Sequence, residues 1–238
     1  MILEICANSL ASALAAEAGG ANRIELCENL NEGGTTPSYG TIKKVRERLK
    51  IEVYVLIRPR AGDFYYTDDE FEIIKEDILL CKQIGCDGVV IGLLDNNGHV
   101  DRKRTKQLVA LAAPMGVTFH RAFDCSTDGL QALEVIIDCG CERILTSGMK
   151  NTAPEGADFL KKLVQTAGKR LSIMPGSGIN EYNIRELLKT GATEFHTSAK
   201  VLLKSNMNYH NPAISNMGDL VEVSDEEKIR RIVEVLKN

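Results

Sequence analysis

A short phrase recurs four times in the chain and constrains its fold more than any other feature. It reads GANRIEL from Gly20, GCDGVVI from Gly85, GCERILT from Gly140 and GATEFHT from Gly191. Each copy is a Gly, then Ala or Cys, then polar residues, then an apolar run. A Gly at the end of a helix takes the left-handed conformation that stops it. The apolar run that follows is short and suits a buried strand. Four helix-stop-then-strand joints imply parallel strands joined by crossover helices. In a parallel barrel the chemistry gathers at the C-terminal ends of the strands.

Eight strands are expected, at residues 3–6, 23–27, 52–58, 88–92, 117–120, 143–146, 172–175 and 194–197. Between them, residues 9–18, 39–49, 70–84, 102–112, 130–138, 156–167 and 181–189 read as helices. Most carry apolar residues at spacings of three and four, and the first is Ala-rich. A chain of 238 residues alternating this way is of the α/β class and fits one closed (β/α)8 TIM barrel, for which about 250 residues are typical. A doubly wound open sheet is the main competitor. No shift in composition marks a second domain, so residues 1–238 read as one domain. The barrel ends near residue 202, and a C-terminal loop and helix occupy 203–238. Residues 203–219 are polar and aperiodic, and a loop of that length either covers the barrel mouth or packs on a partner. Ser224 and Glu227 suggest a capping box for the last helix.

Composition excludes several classes. The net charge is −4 with acids and bases mixed, so no nucleic-acid surface is expected. No apolar run approaches the ~20 residues of a membrane span. The N-terminus lacks the basic and small-residue marks of a signal peptide. Seven cysteines at irregular spacing argue against a disulfide framework and fit a reducing cytoplasm. Cys139, Cys141, Cys81 and Cys86 sit at helix-to-strand joints and read as small buried hydrophobes.

Strand side chains alternate between the two faces of a sheet. If the apolar set faces the helices, Glu4, Cys6, Arg23, Glu25 and Cys27 face the barrel interior, as do Arg58, His120, Glu194 and His196 on later strands. Burying so many ionisable groups without partners costs several kcal/mol each. Their clustering at strand ends points to a shared polar site, with a register-fixing ion-pair network as the plainer alternative. The turn Gly176-Ser177-Gly178 after the seventh strand, with Ser198 after the eighth, stands where barrels often bind phosphate. Arg58 and Arg60 favour an anionic ligand.

The segments LEICANS, GGANRIELCENLNEGGTTPSYG, IRPRAGDFYYTDDE, VTFHRAFD, ERILTSG, MPGSGI and GATEFHTSAK closely resemble the CutC family, named for a proposed role in copper homeostasis. The resemblance spans residues 4–200. It implies a TIM barrel, a cytoplasmic location, homo-oligomers (a dimer foremost) and Cu(I) bound through two cysteines, which fall on Cys6 and Cys27. Thiolates are soft donors that suit Cu(I), and adjacent strands lie ~5 Å apart. A second reading is an enzyme acting on a small anionic or phosphorylated molecule. Glu25 and His120 would then serve as acid and base, Arg58 and His196 would hold the substrate, Asp124 would orient it or move a further proton, and Cys27 would be a possible nucleophile. Glu25, His120 and His196 are also conceivable ligands of a harder metal.

Overall fold

In the computed structural model, residues 1–209, 211–214 and 220–237 are described. All eight expected strands form: β1 (Ile2–Ala7), β2 (Arg23–Leu26), β3 (Glu52–Leu56), β4 (Gly88–Ile91), β5 (Gly116–Phe119), β6 (Arg143–Thr146), β7 (Ser172–Pro175) and β8 (Glu194–Thr197). They build one parallel sheet in the order β7-β6-β5-β4-β3-β2-β1-β8. The sheet curls until β7 and β8 lie side by side, though no ladder joins them. The fold is a nearly closed (β/α)8 barrel, not an open sheet.

The helices are α1 (Leu10–Ala18), α2 (Tyr39–Arg48), α3 (Asp68–Ile84), α4 (Arg102–Ala112), α5 (Gly129–Cys139), α6 (Ala157–Ala167) and α7 (Ile184–Leu187). The repeated glycines act as expected. Gly20, Gly85, Gly140 and Gly191 have φ of +89, +82, +88 and +85°. After three of them, the next residue folds its N–H back on the helix: Ala21 to Ala16 O at 3.0 Å, Cys86 to Cys81 O at 3.0 Å and Cys141 to Ile136 O at 3.4 Å. That return bond buries the residue after the glycine, which explains why it is Ala or Cys. The seventh helix is shorter than expected and passes into a 3-10 turn, Leu188–Thr190.

The sheet separates two environments. Its outer face carries Ile5, Ile24, Val55, Val89, Phe119, Ile144 and Phe195 into the large core beneath the helices. A smaller apolar cluster of Cys6, Cys27, Tyr54, Leu56 and Val90 lies inside the barrel. The N-terminal end of the barrel is filled by charge. Arg23 pairs with Glu4 and, at 2.6 Å, with Glu194. Arg143 reaches the same Glu194 oxygen at 2.6 Å, plus Thr118 at 2.9 Å and Glu142 at 2.8 Å. The Tyr54 ring lies under both guanidiniums, 5.1 and 5.3 Å from their carbons. Every charge here has an opposite partner, the condition for tolerating buried ions.

The C-terminal segment departs from expectation. Lys200–Lys204 (β9) and Leu220–Ser224 (β10) form an antiparallel hairpin, so residues 203–204 of the expected loop are strand and a second strand follows directly after residue 219. Residues 205–209 and 211–214 carry no regular element, while residues 210 and 215–219 of that loop lie outside the described residues. The hairpin docks on the start of α1 through Asn8 Nδ2 to Glu222 O and Ser224 N–H to Ser12 Oγ, each 3.0 Å. The last helix, α8 (Glu226–Lys237), is capped by Asp225, which accepts from Lys228 N–H at 2.8 Å. Ser224 is not the cap, because it completes β10.

Candidate functional site

Strand register assembles the site. The β1–β2 ladder sets Cys6 opposite Glu25, and the β1–β8 ladder sets Glu4 opposite His196. Alternation sends all four side chains inward. Cys27 follows β2 and is held by its N–H to Ala7 O at 3.0 Å. The result is a Cys6 Sγ···Cys27 Sγ separation of 3.4 Å with both thiols free and buried. Ligand atoms of Cys6, Glu25 and His196 lie within 4.8 Å of one another.

His196 bridges two carboxylates. Its Nδ1 is 2.7 Å from Glu4 Oε1, and its Nε2 is 3.5 Å from Glu25 Oε2. Burial opposes a charge on this ring. Hydrogen bonds to Cys6 and Glu4 and the two carboxylate charges outweigh burial and raise its pKa well above the ordinary value. Glu4 moves the other way. Burial pushes it up, yet the His196 hydrogen bond and the Arg23 charge bring it down to about 2. Burial dominates at Glu25 and raises its pKa. The Cys6 thiol is also raised, first by its hydrogen bond with Cys27 and then by burial.

Above this group, a cavity of about 140 Å³ opens at the C-terminal strand ends, with Cys6, Glu25, Arg58, His120 and His196 in its wall. Four of the five expected catalytic residues therefore share one space. Their roles differ. Arg58 spends Nη1 on Glu32 O and Gly34 O (2.7 and 2.6 Å) and Nη2 on Gly62 O (2.8 Å), tying together the loops after β2 and β3. His120 Nδ1 accepts from Ala122 N–H at 3.0 Å. Burial and the Arg58 charge hold its pKa down to about 3.

Asp124 stands apart from the cavity wall. It accepts from Ser147 N–H, Ser147 Oγ–H and Met149 N–H at 2.9 to 3.1 Å, and pairs with Arg121 at 2.8 Å. It organises the loop after β6. The expected anion turn is also dispersed. Gly176 donates to Thr146 O at 3.0 Å, and a Cβ there would overlap Leu145. Ser177 donates to Asn151 O at 2.8 Å. Gly178 and Ser198 line a separate groove with Lys200 and Lys228, and β8 leads into β9, not into a helix N-terminus. Cys81, Cys86, Cys139 and Cys141 are buried at their joints, as expected. Sequence reasoning placed Glu4 inside the barrel but missed that it orients His196. That pairing depends on the β1–β8 contact, which local sequence does not display.

The model of the CutC family matches residues 1–201. A family protein CutC from Xanthomonas axonopodis pv. citri is 48% identical over 238 residues, covering 100% of this chain and 99% of the relative. The human copper homeostasis protein cutC homolog is 44% identical over 244 residues, covering 100% of this chain and 89% of the relative. A crystal structure named as a copper homeostasis protein CutC from Streptococcus agalactiae superposes with a TM-score of 0.79 at 35% identity. It covers 83% of this chain and 98% of that one. With the barrel of that structure and a family match over most of its length, the chain belongs to the CutC family, whose relatives are named for copper homeostasis.

Proposed function

We propose that this copper-homeostasis family member binds Cu(I) through Cys6 and Cys27, with His196 as a third donor. The observation that carries this reading is the pair of free thiols 3.4 Å apart, facing one interior. Metal–sulfur bonds of ~2.3 Å, the length seen for zinc thiolates, span that gap in a bent arrangement and leave an edge for another ligand. His196 offers a ring nitrogen within 4.8 Å of the Cys6 sulfur. Glu4 on Nδ1 supplies the carboxylate that commonly orients a ligating histidine. Thiolates and imidazole are donors of the kind copper favours. Binding must displace the Cys6 and Cys27 protons and the proton on His196, so affinity rises with pH.

X-ray absorption on the Cu(I)-loaded chain tests the donor set. The reading expects two sulfur neighbours and one nitrogen neighbour, with the nitrogen lost in His196→Ala. A shell without sulfur contradicts it.

A reducing cytoplasm fits a protein that works through free thiols. Exposed Leu202, Leu203, Leu220 and Val221 on the hairpin favour a homo-dimer, which sedimentation of the chain at micromolar concentration checks.

A further inference from the structure

Two of the few buried polar side-chain atoms without a hydrogen-bond partner are Arg58 Nε and His120 Nε2, and both residues belong to the wall of the same cavity. They are 4% and 5% exposed. A buried donor left without an acceptor costs ~1–3 kcal/mol, and such groups in a native fold call for an explanation.

The tautomer of His120 follows from its neighbours. Ala122 N–H donates to Nδ1, so Nδ1 carries a lone pair and the ring proton of the neutral imidazole sits on Nε2. The ring is a fixed hydrogen-bond donor. Phe64 at 5.1 Å between ring centres and the bare backbone of Gly92, where a Cβ would overlap the ring, hold it in place. Arg58 supplies charge. Its two terminal nitrogens bond to backbone carbonyls, the neutral Tyr66 hydroxyl lies against it, and no carboxylate pairs with it among the described residues. An unpaired buried cation is expensive and is satisfied best by an anion. Among the described residues the cavity wall carries one carboxylate, Glu25, which is already faced by His196 at 3.5 Å. Arg121 also reaches the wall, its charge already paired with Asp124 at 2.8 Å, and the apolar lining is Leu30, Leu56, Phe64 and Leu145. A volume of about 140 Å³ is close to that of a cavity known to accept benzene, ~150 Å³.

We propose that this cavity is a binding site for a small organic carboxylate, with one oxygen accepting from His120 Nε2 and its charge opposite Arg58, and with an apolar body against Leu30, Leu56, Phe64 and Leu145. The site goes beyond the copper reading and uses different residues. A metal-free, reduced sample therefore tests it alone, and its failure would leave the thiol pair untouched.

The experiment titrates that sample with benzoate, and with benzamide as the uncharged isostere, following imidazole ¹⁵N resonances by NMR. The site expects saturable benzoate binding that shifts the protonated nitrogen of His120. It expects benzamide to bind at least about tenfold more weakly, and His120→Phe to weaken benzoate by about tenfold or more, the loss of one hydrogen bond to a charged group. Smaller members of the class, acetate and 2-methylpropanoate, are run beside benzoate. No saturable binding of any of the three carboxylates up to ~10 mM overturns the proposal. So does equal affinity for benzoate and benzamide, or binding that leaves the His120 resonance unmoved. If His120→Phe does not fold, the resonance shift in the native chain decides.

Discussion

Arg143 Nε donates to Glu194 Oε2 at 2.6 Å, and this bond ties β6 to β8 across the seam where β7 and β8 share no ladder. The same oxygen accepts from Arg23 Nη2 at 2.6 Å. One carboxylate therefore holds two buried guanidiniums and helps to close the barrel where backbone pairing stops.

Glu194→Ala should be among the most damaging single changes. It leaves Arg23 and Arg143 buried near each other with one shared counter-charge gone. Breaking a buried pair from one side costs ~3–5 kcal/mol, which in a chain of this size lowers Tm on the order of 10 °C. Calorimetry of the variant checks this. A change within about 2 °C of the native chain would show that the seam does not need the carboxylate.

The ionisation of the inner groups sets a pH profile. Glu4 is lowered from 4.5 to about 2, and Glu194 is lowered as well. Their contribution is present above pH 4.5 and is lost as pH falls toward the folded values. His120, lowered from 6.5 to about 3, acts in the same direction, since protonating the buried ring opposes folding below pH 6.5. Glu25, raised by burial, works against these three on the acid side. His196 is raised, so its contribution is full below pH 6.5 and fades as pH climbs through its folded value. Urea unfolding should show a maximum near neutrality and a steep decline below about pH 4.5. Equal urea midpoints at about pH 3 and pH 6.5 would contradict this balance of groups.

Asp124 should prove structural. Asp124→Ala strips an acceptor from three donors of the β6 loop and unpairs Arg121. A loss of at least ~3 kcal/mol is expected, with Cu(I) affinity of the folded fraction unchanged. Chemical denaturation and metal titration of the same preparation measure both. A fully stable variant with weakened metal binding would move Asp124 into the site.

The strands and the inward set were legible because both follow local rules. The Gly-Ala/Cys joints mark where each helix stops, and parity along the RIELC run puts Arg23, Glu25 and Cys27 on one side. Partner choice was not legible. Whether Glu194 takes Arg23, Arg143 or both depends on barrel closure between distant strands. Arg58 looked free to bind an anion, yet two of its three nitrogens are taken by loop carbonyls, and carbonyl partners leave no trace in side-chain sequence. The β9–β10 hairpin was hidden for a similar reason. The strands KVLLK and LVEVS are short, and the polar residues between them gave no signal that the two ends pair. The inner face turned out to hold both of the weighed alternatives, a register-fixing ion network at the N-terminal end and a polar cavity at the other.

The copper proposal rests on a specific Cu(I) site at Cys6 and Cys27, whose sulfurs are 3.4 Å apart. An anaerobic Cu(I) competition titration of the native chain beside a Cys6→Ser, Cys27→Ser double variant tests it most directly. One Cu(I) per chain is expected in the native protein, with a loss of at least about a hundredfold in affinity in the variant, the scale of removing both strong donors. Binding that the double variant retains would contradict it.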